Sequence, residues 1–334
     1  MTVERLRDSW SRGTAFLGSR HAILGGAMSW LSEHNLVAAI AAAGGFGVLA
    51  TGNMPPEKLQ EEIHQVRTRT GNPFGVNLIT LNPRLSELVA VVVAERVSHC
   101  VLAGGLPDQE TMRTLKEAGV KVIVFAPSLA IGKRLIQRGA DALIIEGHEA
   151  GGHVGPVATG VLVQEILPFV EEVPVFVAGG IANGDMVATL VAMGAAGCQI
   201  GTRFVCTEEC IAHANFKNLF IRAQSRDAVV TVQFDPVLPV IPVRALVNKG
   251  TEVFNQMQLR LIGEVKEGRK ERKEAILELE HFWVGALRRA AIDGDVEFGS
   301  VMAGQSVGLV KAIQPVAVVM QELVAEVEKR LRGV

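Results

Sequence analysis

Short apolar runs alternate with longer amphipathic stretches from residue 22 to about residue 225. The runs are rich in β-branched side chains and end at glycine, which predicts buried strands; the stretches between them carry apolar residues at helical spacing. A polar arm, residues 1–20, comes first. Residues 22–24 form the first run, followed by a helix over 32–43 with Ser32 as its N-cap and Gly44-Gly45 as its stop. The same unit recurs as 46–50 with a helix over 57–67, 74–79 with 85–95, 99–102 with a helix from Gln109, and 120–125 with 129–138. It continues as 142–145 with 161–170, 173–178 with 185–193, and 197–200 with a helix from Glu208. Eight successive units predict a closed (β/α)8 barrel of the TIM type. An open dinucleotide-binding sheet would require G-x-G-x-x-G after the first strand, and Gly25-Gly26 does not supply it.

Beyond residue 226 the rhythm changes. Residues 229–243 are rich in valine and proline, 253–289 are helical and charged, and the chain closes with 300–310 and an amphipathic helix over 315–331. The expected division is a barrel over 1–225, a smaller, mostly helical cap or insertion over 226–299, and a C-terminal segment over 300–334 that returns to the barrel.

A chain of 334 residues with 49% hydrophobic content can bury a large core. Its 33 basic and 35 acidic residues are spread without long like-charged blocks, so no footprint for nucleic acid or anionic lipid is present. The longest apolar stretch, 36–50, is too short to span a bilayer, and the charged N-terminus lacks a secretory core; a cytoplasmic protein is expected. Cys100, Cys198, Cys206 and Cys210 lack zinc-type spacing and are expected to be reduced thiols; no metal is expected. Tyrosine is absent, which excludes any phenolic proton donor.

Chemistry concentrates at the strand ends, where such barrels carry their active sites. The sixth strand breaks at Glu146-Gly147 into a loop with His148, Glu149, Gly151, Gly152 and His153; its glycines permit close approach of a flat ligand, and imidazoles titrate nearest neutrality. A solvated loop with polar decoration is the competing reading. The seventh strand ends in Gly179-Gly180 and the eighth in Gly201-Thr202-Arg203. Both place bare backbone N–H groups ahead of expected helix starts, which suits a phosphate. Turn punctuation and a salt-bridged Arg203 are the alternative. No H-E-x-x-H, P-loop or G-x-S-x-G motif occurs. A phosphate cup, glycine walls, Asn77 at the third strand end and an imidazole suit a phosphorylated cofactor.

Glu146-Gly-His-Glu-Ala-Gly-Gly-His153-Val-Gly, Phe74-Gly-Val-Asn77, Ala178-Gly-Gly-Ile181, Gly201-Thr-Arg-Phe204 and Gly299-Ser-Val-Met-Ala-Gly-Gln-Ser-Val-Gly308 together resemble the FMN-dependent nitronate monooxygenases. Flavin-dependent enoyl-acyl-carrier-protein reductases and a group of NAD(P)H:quinone reductases share the pattern, which covers about residues 20–325. The resemblance implies bound FMN, with Gly26, Ala27 and Met28 against its ring, Asn77 and Glu146 at polar positions, and Gly151 and Gly152 behind it. It places the phosphate on Gly179, Gly180, Gly201 and Thr202, and has Met302, Ala303, Gly304 and Gln305 close the pocket. His153 is the expected catalytic imidazole, because it follows Gly151-Gly152, which let the loop lie against the ring, whereas His148 directly follows the strand end and has no counterpart in the reductases. Three features depart from the relatives: Ala22 with Gly25-Gly26-Ala27 in the first strand, His148 where the enoyl reductases carry an apolar residue, and the three prolines of 234–243 in place of a histidine-containing stretch.

Three functions compete at this level. The first is oxidation of alkyl nitronates with O₂. The second is NAD(P)H-dependent reduction of enoyl thioesters or quinones. The third is binding of a phosphorylated metabolite without redox chemistry. The expected partner is a small-molecule substrate with NAD(P)H as a candidate second one, no nucleic acid and no membrane; an oligomer is compatible with the sequence.

Overall fold

Strand formation follows the β-branched runs closely. The chain begins with α1 (Val3–Leu17), β1 (Ile23–Gly25), α2 (His34–Ala42), β2 (Phe46–Ala50), α3 (Pro56–Arg69), β3 (Gly75–Ile79) and α4 (Leu85–Ala94). It continues with β4 (His99–Ala103), α5 (Gln109–Glu117), β5 (Lys121–Phe125), α6 (Leu129–Gln137), β6 (Ala142–Glu146), the two-residue β7 (Gly152–His153) and α7 (Thr159–Ile166). Then come β8 (Val175–Ala178), α8 (Gly184–Ala192), β9 (Gly197–Ile200), the four-residue α9 (Thr202–Val205) and α10 (Ala214–Arg222). The remainder is β10 (Ala228–Val230), β11 (Val243–Leu246), α11 (Lys249–Lys266), α12 (Arg272–Ala291), β12 (Val301–Met302) and α13 (Val316–Leu331). This computed structural model describes residues 3–52, 54–239 and 242–332. Met1 and Thr2 of the N-terminal arm, and Val240 and Ile241 of the proline-rich stretch, lie outside the described residues.

Strands β1 to β6, β8 and β9 close into a parallel barrel, sealed where Leu24 pairs with Gln199. Side chains alternate across each strand. Val76, Leu78, Leu143, Ile145, Cys198 and Ile200 pack outward against the helices, while Phe46, Val48, Val101, Ile123, Ile144 and Phe176 fill the barrel. The same alternation turns Asn77, Glu146 and Gln199 inward, with Glu146 at the C-terminal end of β6 and Gln199 next to the end of β9. Asn77 is therefore in mid-strand, two residues short of the expected strand end. All four cysteines are free and buried. Among the described residues no helix is long and apolar enough to cross a membrane.

Three local expectations differ from the structure. The polar arm is helix α1, whose Leu17 is buried; Gly13 lets it lie on the barrel, since a Cβ there would stand 1.8 Å from the Ala196 carbonyl oxygen. Ser32 does not cap α2. Glu33 does, and the Ser32 hydroxyl instead receives the Met28 N–H at 2.9 Å and donates to the Gly26 carbonyl at 2.8 Å, bracing the loop after β1. No helix starts at Glu208, because Glu209 accepts from the Val316 N–H at the start of α13 and the helix waits until Ala214.

A second, antiparallel sheet lies over the barrel. In it β11 pairs with β10 on one side, and with β7 and β12 on the other. It draws one strand from the loop after β6, two from 226–299 and one from the returning C-terminal segment. Helices α11 and α12 pack on it through Phe254, Leu261, Leu279 and Trp283.

The opposite, N-terminal end of the barrel is plugged by α1. His99, 2% exposed, stacks edge-on with Phe16 and Phe46, its Nε2 donates to the Phe16 carbonyl at 2.9 Å, and Nδ1 accepts from Ser98 Oγ at 2.8 Å. Both nitrogens are satisfied by the neutral ring. Burial, helped by the Lys121 ammonium, holds the His99 pKa down to about 4. Its folded value lies below the unfolded value of about 6.5, so its share of stability is present above pH 6.5 and is lost as pH falls towards 4. That share is about 3 kcal/mol. His99→Gln, which cannot titrate, should be less stable than the parent at pH 7, and urea unfolding should show the gap closing by pH 4; a constant gap would place the acid sensitivity elsewhere.

Candidate active site

The C-terminal ends of the strands form a mouth whose inner wall carries Asn77, Glu146 and Gln199. Asn77 is 4% exposed; its Nδ2 donates to the Val101 carbonyl at 3.0 Å, and its own carbonyl accepts from Thr51 Oγ1 at 2.8 Å. Gln199, 8% exposed, lies against Gly26, where an added Cβ would stand 3.5 Å from its amide. Neither the Glu146 carboxylate nor the Gln199 amide has a hydrogen-bonding partner among the described residues. Burial pushes the Glu146 carboxyl up to about 7. A carboxyl that titrates near neutrality and an amide, both without a partner among the described residues, are groups that a polar ligand satisfies.

The loop after β6 is held from several directions. Arg244 on β11, 3% exposed, donates from Nε and Nη2 to the His148 carbonyl at 3.1 and 3.0 Å, and from Nη1 to the Ala228 carbonyl. Glu149 accepts from the Thr159 N–H and Oγ1, each at 2.9 Å, and its carbonyl accepts from the Gln305 N–H at 2.9 Å. Gly151 packs on the returning segment: a Cβ there would stand 2.5 Å from the Gly304 nitrogen and 2.6 Å from the Ala303 carbonyl carbon. The glycine expected to admit a flat ligand is thus required by backbone packing. Gly152, at φ +78°, pairs with Arg244 in the ladder, and a Cβ there would meet the Met302 sulfur at 3.6 Å.

His153 follows in β7, paired with Val243 and exposed at the mouth. His148 is committed elsewhere, with its ring Nδ1 donating to the Gly155 carbonyl at 2.7 Å and its backbone N–H to the Val157 carbonyl at 2.7 Å.

The two glycine loops meet beside this. Gly179 and Gly180 have φ of +95° and +75°, a left-handed pair in which a Gly180 Cβ would press on the Glu149 side chain at 3.2 Å. The amides of Gly180, Ile181, Gly201 and Thr202 make no hydrogen bond to the protein among the described residues. Thr202 Oγ1 accepts from the Gly304 N–H at 3.0 Å, and the Met28 sulfur lies beside Gly201. Gly26, Ala27, Met28, Gly151, Gly152, Gly179, Gly180, Gly201, Thr202, Met302, Gly304 and Gln305 therefore form one ring, with Asn77 and Glu146 on its inner wall.

Two parts of the expected phosphate cup differ. The start of α8 is already occupied: the Gly184 N–H donates to Glu326 of α13, and the Met186 N–H to Asn183. Helix α9 has four residues and little dipole to offer. Arg203 turns away from the mouth, is 7% exposed, and pairs with Gln314 and with Glu322 at 3.2 Å. An anion here has the loop amides for donors.

Reading the sequence missed Gln199 and Arg244, and named Glu149 without a role. Gln199 was detectable as a polar side chain at an inward position of a buried strand; Arg244 was not, because its partner is 96 residues away. Outside the mouth, Glu33, His34 and Glu62 come within 4.8 Å, but Glu62 is occupied by His34 at 2.8 Å and Lys58 at 3.0 Å, an ion-pair network between α2 and α3.

The profile of the nitronate monooxygenase family matches residues 11–90 and 84–326. The (3aS,4S,5R,7aS)-5-hydroxy-7a-methyl-1-oxo-octahydro-1H-indene-4-carboxyl-CoA dehydrogenase of Rhodococcus jostii (strain RHA1) is 31% identical, across 95% of this chain and 96% of its own. A probable nitronate monooxygenase of Staphylococcus aureus (strain MRSA252) is 26% identical, across 96% and 98%. The solved structure of FabK from Thermotoga maritima is 38% identical, covers 96% and 98%, and superposes with a TM-score of 0.85. Matched over nearly its whole length, the chain belongs to the nitronate monooxygenase family of oxidoreductases.

Proposed function

We propose that this protein is an FMN-dependent oxidoreductase acting on an acyl thioester, with residues 226–299 covering the substrate side of the mouth. The observation that carries the cofactor is the pair of adjacent loops whose amides, at Gly180, Ile181, Gly201 and Thr202, lack a protein acceptor among the described residues. Gly179 and the Thr202 hydroxyl complete that phosphate site. Gly26, Ala27 and Met28 would lie against the ring, Asn77, Glu146 and Gln199 would meet its polar atoms, and Met302, Gly304 and Gln305 would close the pocket. When bound, FMN supplies reversible two-electron chemistry at carbon.

The chain's own contribution is position and one proton. His153, held by the β7–β11 ladder, takes the proton from the carbon next to the activating carbonyl, or returns it in the reverse direction. The thioester reading rests on the relatives: the one named for a carboxyl-CoA substrate is more similar than the one named for nitronates. Oxidation of alkyl nitronates with O₂ is the second reading, favoured by the match to the nitronate monooxygenase profile. NAD(P)H is the proposed electron partner for the reductive direction, with an enoyl thioester or a quinone as acceptor. Anaerobic stopped-flow bleaching of the flavin by NADH, NADPH, an acyl-CoA and an alkyl nitronate, side by side, separates these readings. Bleaching by the nitronate alone would overturn the thioester assignment.

Purified protein should be yellow and release one FMN per chain on denaturation. Gly180→Val should lose the flavin while the circular dichroism of the barrel persists, because the side chain is strained at φ +75° and enters the loop beside Glu149. Unchanged FMN affinity in this variant would move the phosphate to another site.

His153→Ala should slow the substrate half-reaction by about 10² to 10⁴ with FMN retained. His148→Ala, which removes a bond to Gly155, should change that rate less than about tenfold. Half-reaction kinetics of both variants across pH decide the matter, and a larger loss in His148→Ala would reverse the assignment.

A further inference from the structure

Trp30 occupies a position that suits its backbone poorly. It is the third residue of a turn closed by the Leu31 N–H on the Met28 carbonyl at 3.0 Å, and its φ is +68°, a conformation that turns of this kind normally give to glycine or asparagine. The fold gains little in return, because the indole is 40% exposed and its N–H meets no protein acceptor among the described residues. The turn stands on the rim of the mouth: Met28 touches Gly201, and the Ser29 hydroxyl lies by Gly52. Above the indole is the Arg288 guanidinium of α12, 5.9 Å from the ring centroid, with Arg289 beside it in the last turn of the helix. Strained, exposed side chains at the edge of a site are characteristic of ligand clamps.

A planar ring inserted between indole and guanidinium needs two stacking separations of about 3.5 Å each, roughly 7 Å in all. The slot opens to that width by a movement of about 1 Å of an exposed arginine, whose only ion pair among the described residues is with Asp293 at 2.9 Å. Indole and guanidinium planes are the surfaces on which nucleobases stack. We propose that Trp30 and Arg288 form the slot for the adenine ring of a substrate bearing adenosine diphosphate, either a CoA thioester or NAD(P)H, whose reactive end reaches the mouth. This rests on the thioester and NAD(P)H reading given above, since an alkyl nitronate carries no such ring.

The test is calorimetric titration of the FMN-loaded protein with ADP, coenzyme A, NADH and NADPH, alongside its melting temperature and flavin content. Trp30→Gly should weaken the nucleotides that the parent binds by about five- to a hundredfold, the range expected for one lost stacking contact. The same variant should melt about 1 to 3 °C higher, because glycine relieves the left-handed strain. Trp30→Phe, which keeps a stacking face, should retain most of the affinity, and Trp30→Leu should not. The ranking of coenzyme A against NADH and NADPH identifies the source of the adenine. Unaltered binding in Trp30→Gly, or no binding of any of the four by the parent, overturns the slot; loss of flavin from the parent counts against the cofactor reading, and ADP still reports on the slot.

Discussion

The buried guanidinium of Arg244 is the constraint on which the candidate site depends. An arginine that is 3% exposed must direct its donors at acceptors, and here they are the carbonyls of His148 and Ala228. One side chain thereby joins the loop after a barrel strand to two strands of the overlying sheet. The backbone of the same residue continues the link by pairing with Gly152, so His153 stands on an antiparallel ladder rather than on a free loop. The returning segment locks the arrangement through the contact of Gly151 with Gly304, which tolerates no Cβ on either residue. Removing one partner would leave a charged group or a carbonyl buried without compensation, which is why such a junction is expensive to disturb.

The barrel's two ends differ because its inward positions differ. At the N-terminal end, Phe16 and Phe46 enclose a neutral His99 whose nitrogens are both satisfied, and the result is a plug. At the C-terminal end, Glu146 and Gln199 face inward without a partner among the described residues, on strands whose outward faces are as apolar as any other. Alternation puts both sets inside, and only the presence of α1 at one end makes one set structural.

The two glycine loops show how a local motif is completed by distant chain. Glu326 of α13 occupies the start of α8, which removes the helix terminus that a sequence motif would offer to an anion. The unpaired amides in the loops are left as the donors. Arg203 is drawn the other way, to Glu322 and Gln314, so the cation next to the glycine loop serves the junction with α13.

Strand periodicity determined most of the fold: β2 and β9 coincide with their apolar runs, and eight such runs alternating with helices bury both faces of every strand when they close into a helix-wrapped barrel. The motifs around 146–153, 178–181 and 201–204 likewise mark the strand ends that form the mouth, because each carries its glycines in sequence. What the tertiary structure decided are contacts between residues far apart in the chain. The polar arm became α1 because Phe16 and Leu17 found the open end of the barrel. Ser32 lost the cap of α2 to Glu33 because the β1 loop needed its hydroxyl. Gly151 proved to be a packing requirement, Arg203 an ion-pair partner, and Gln199 an inward amide. Local pattern specifies which face a residue takes, and only the assembled barrel specifies what it meets there.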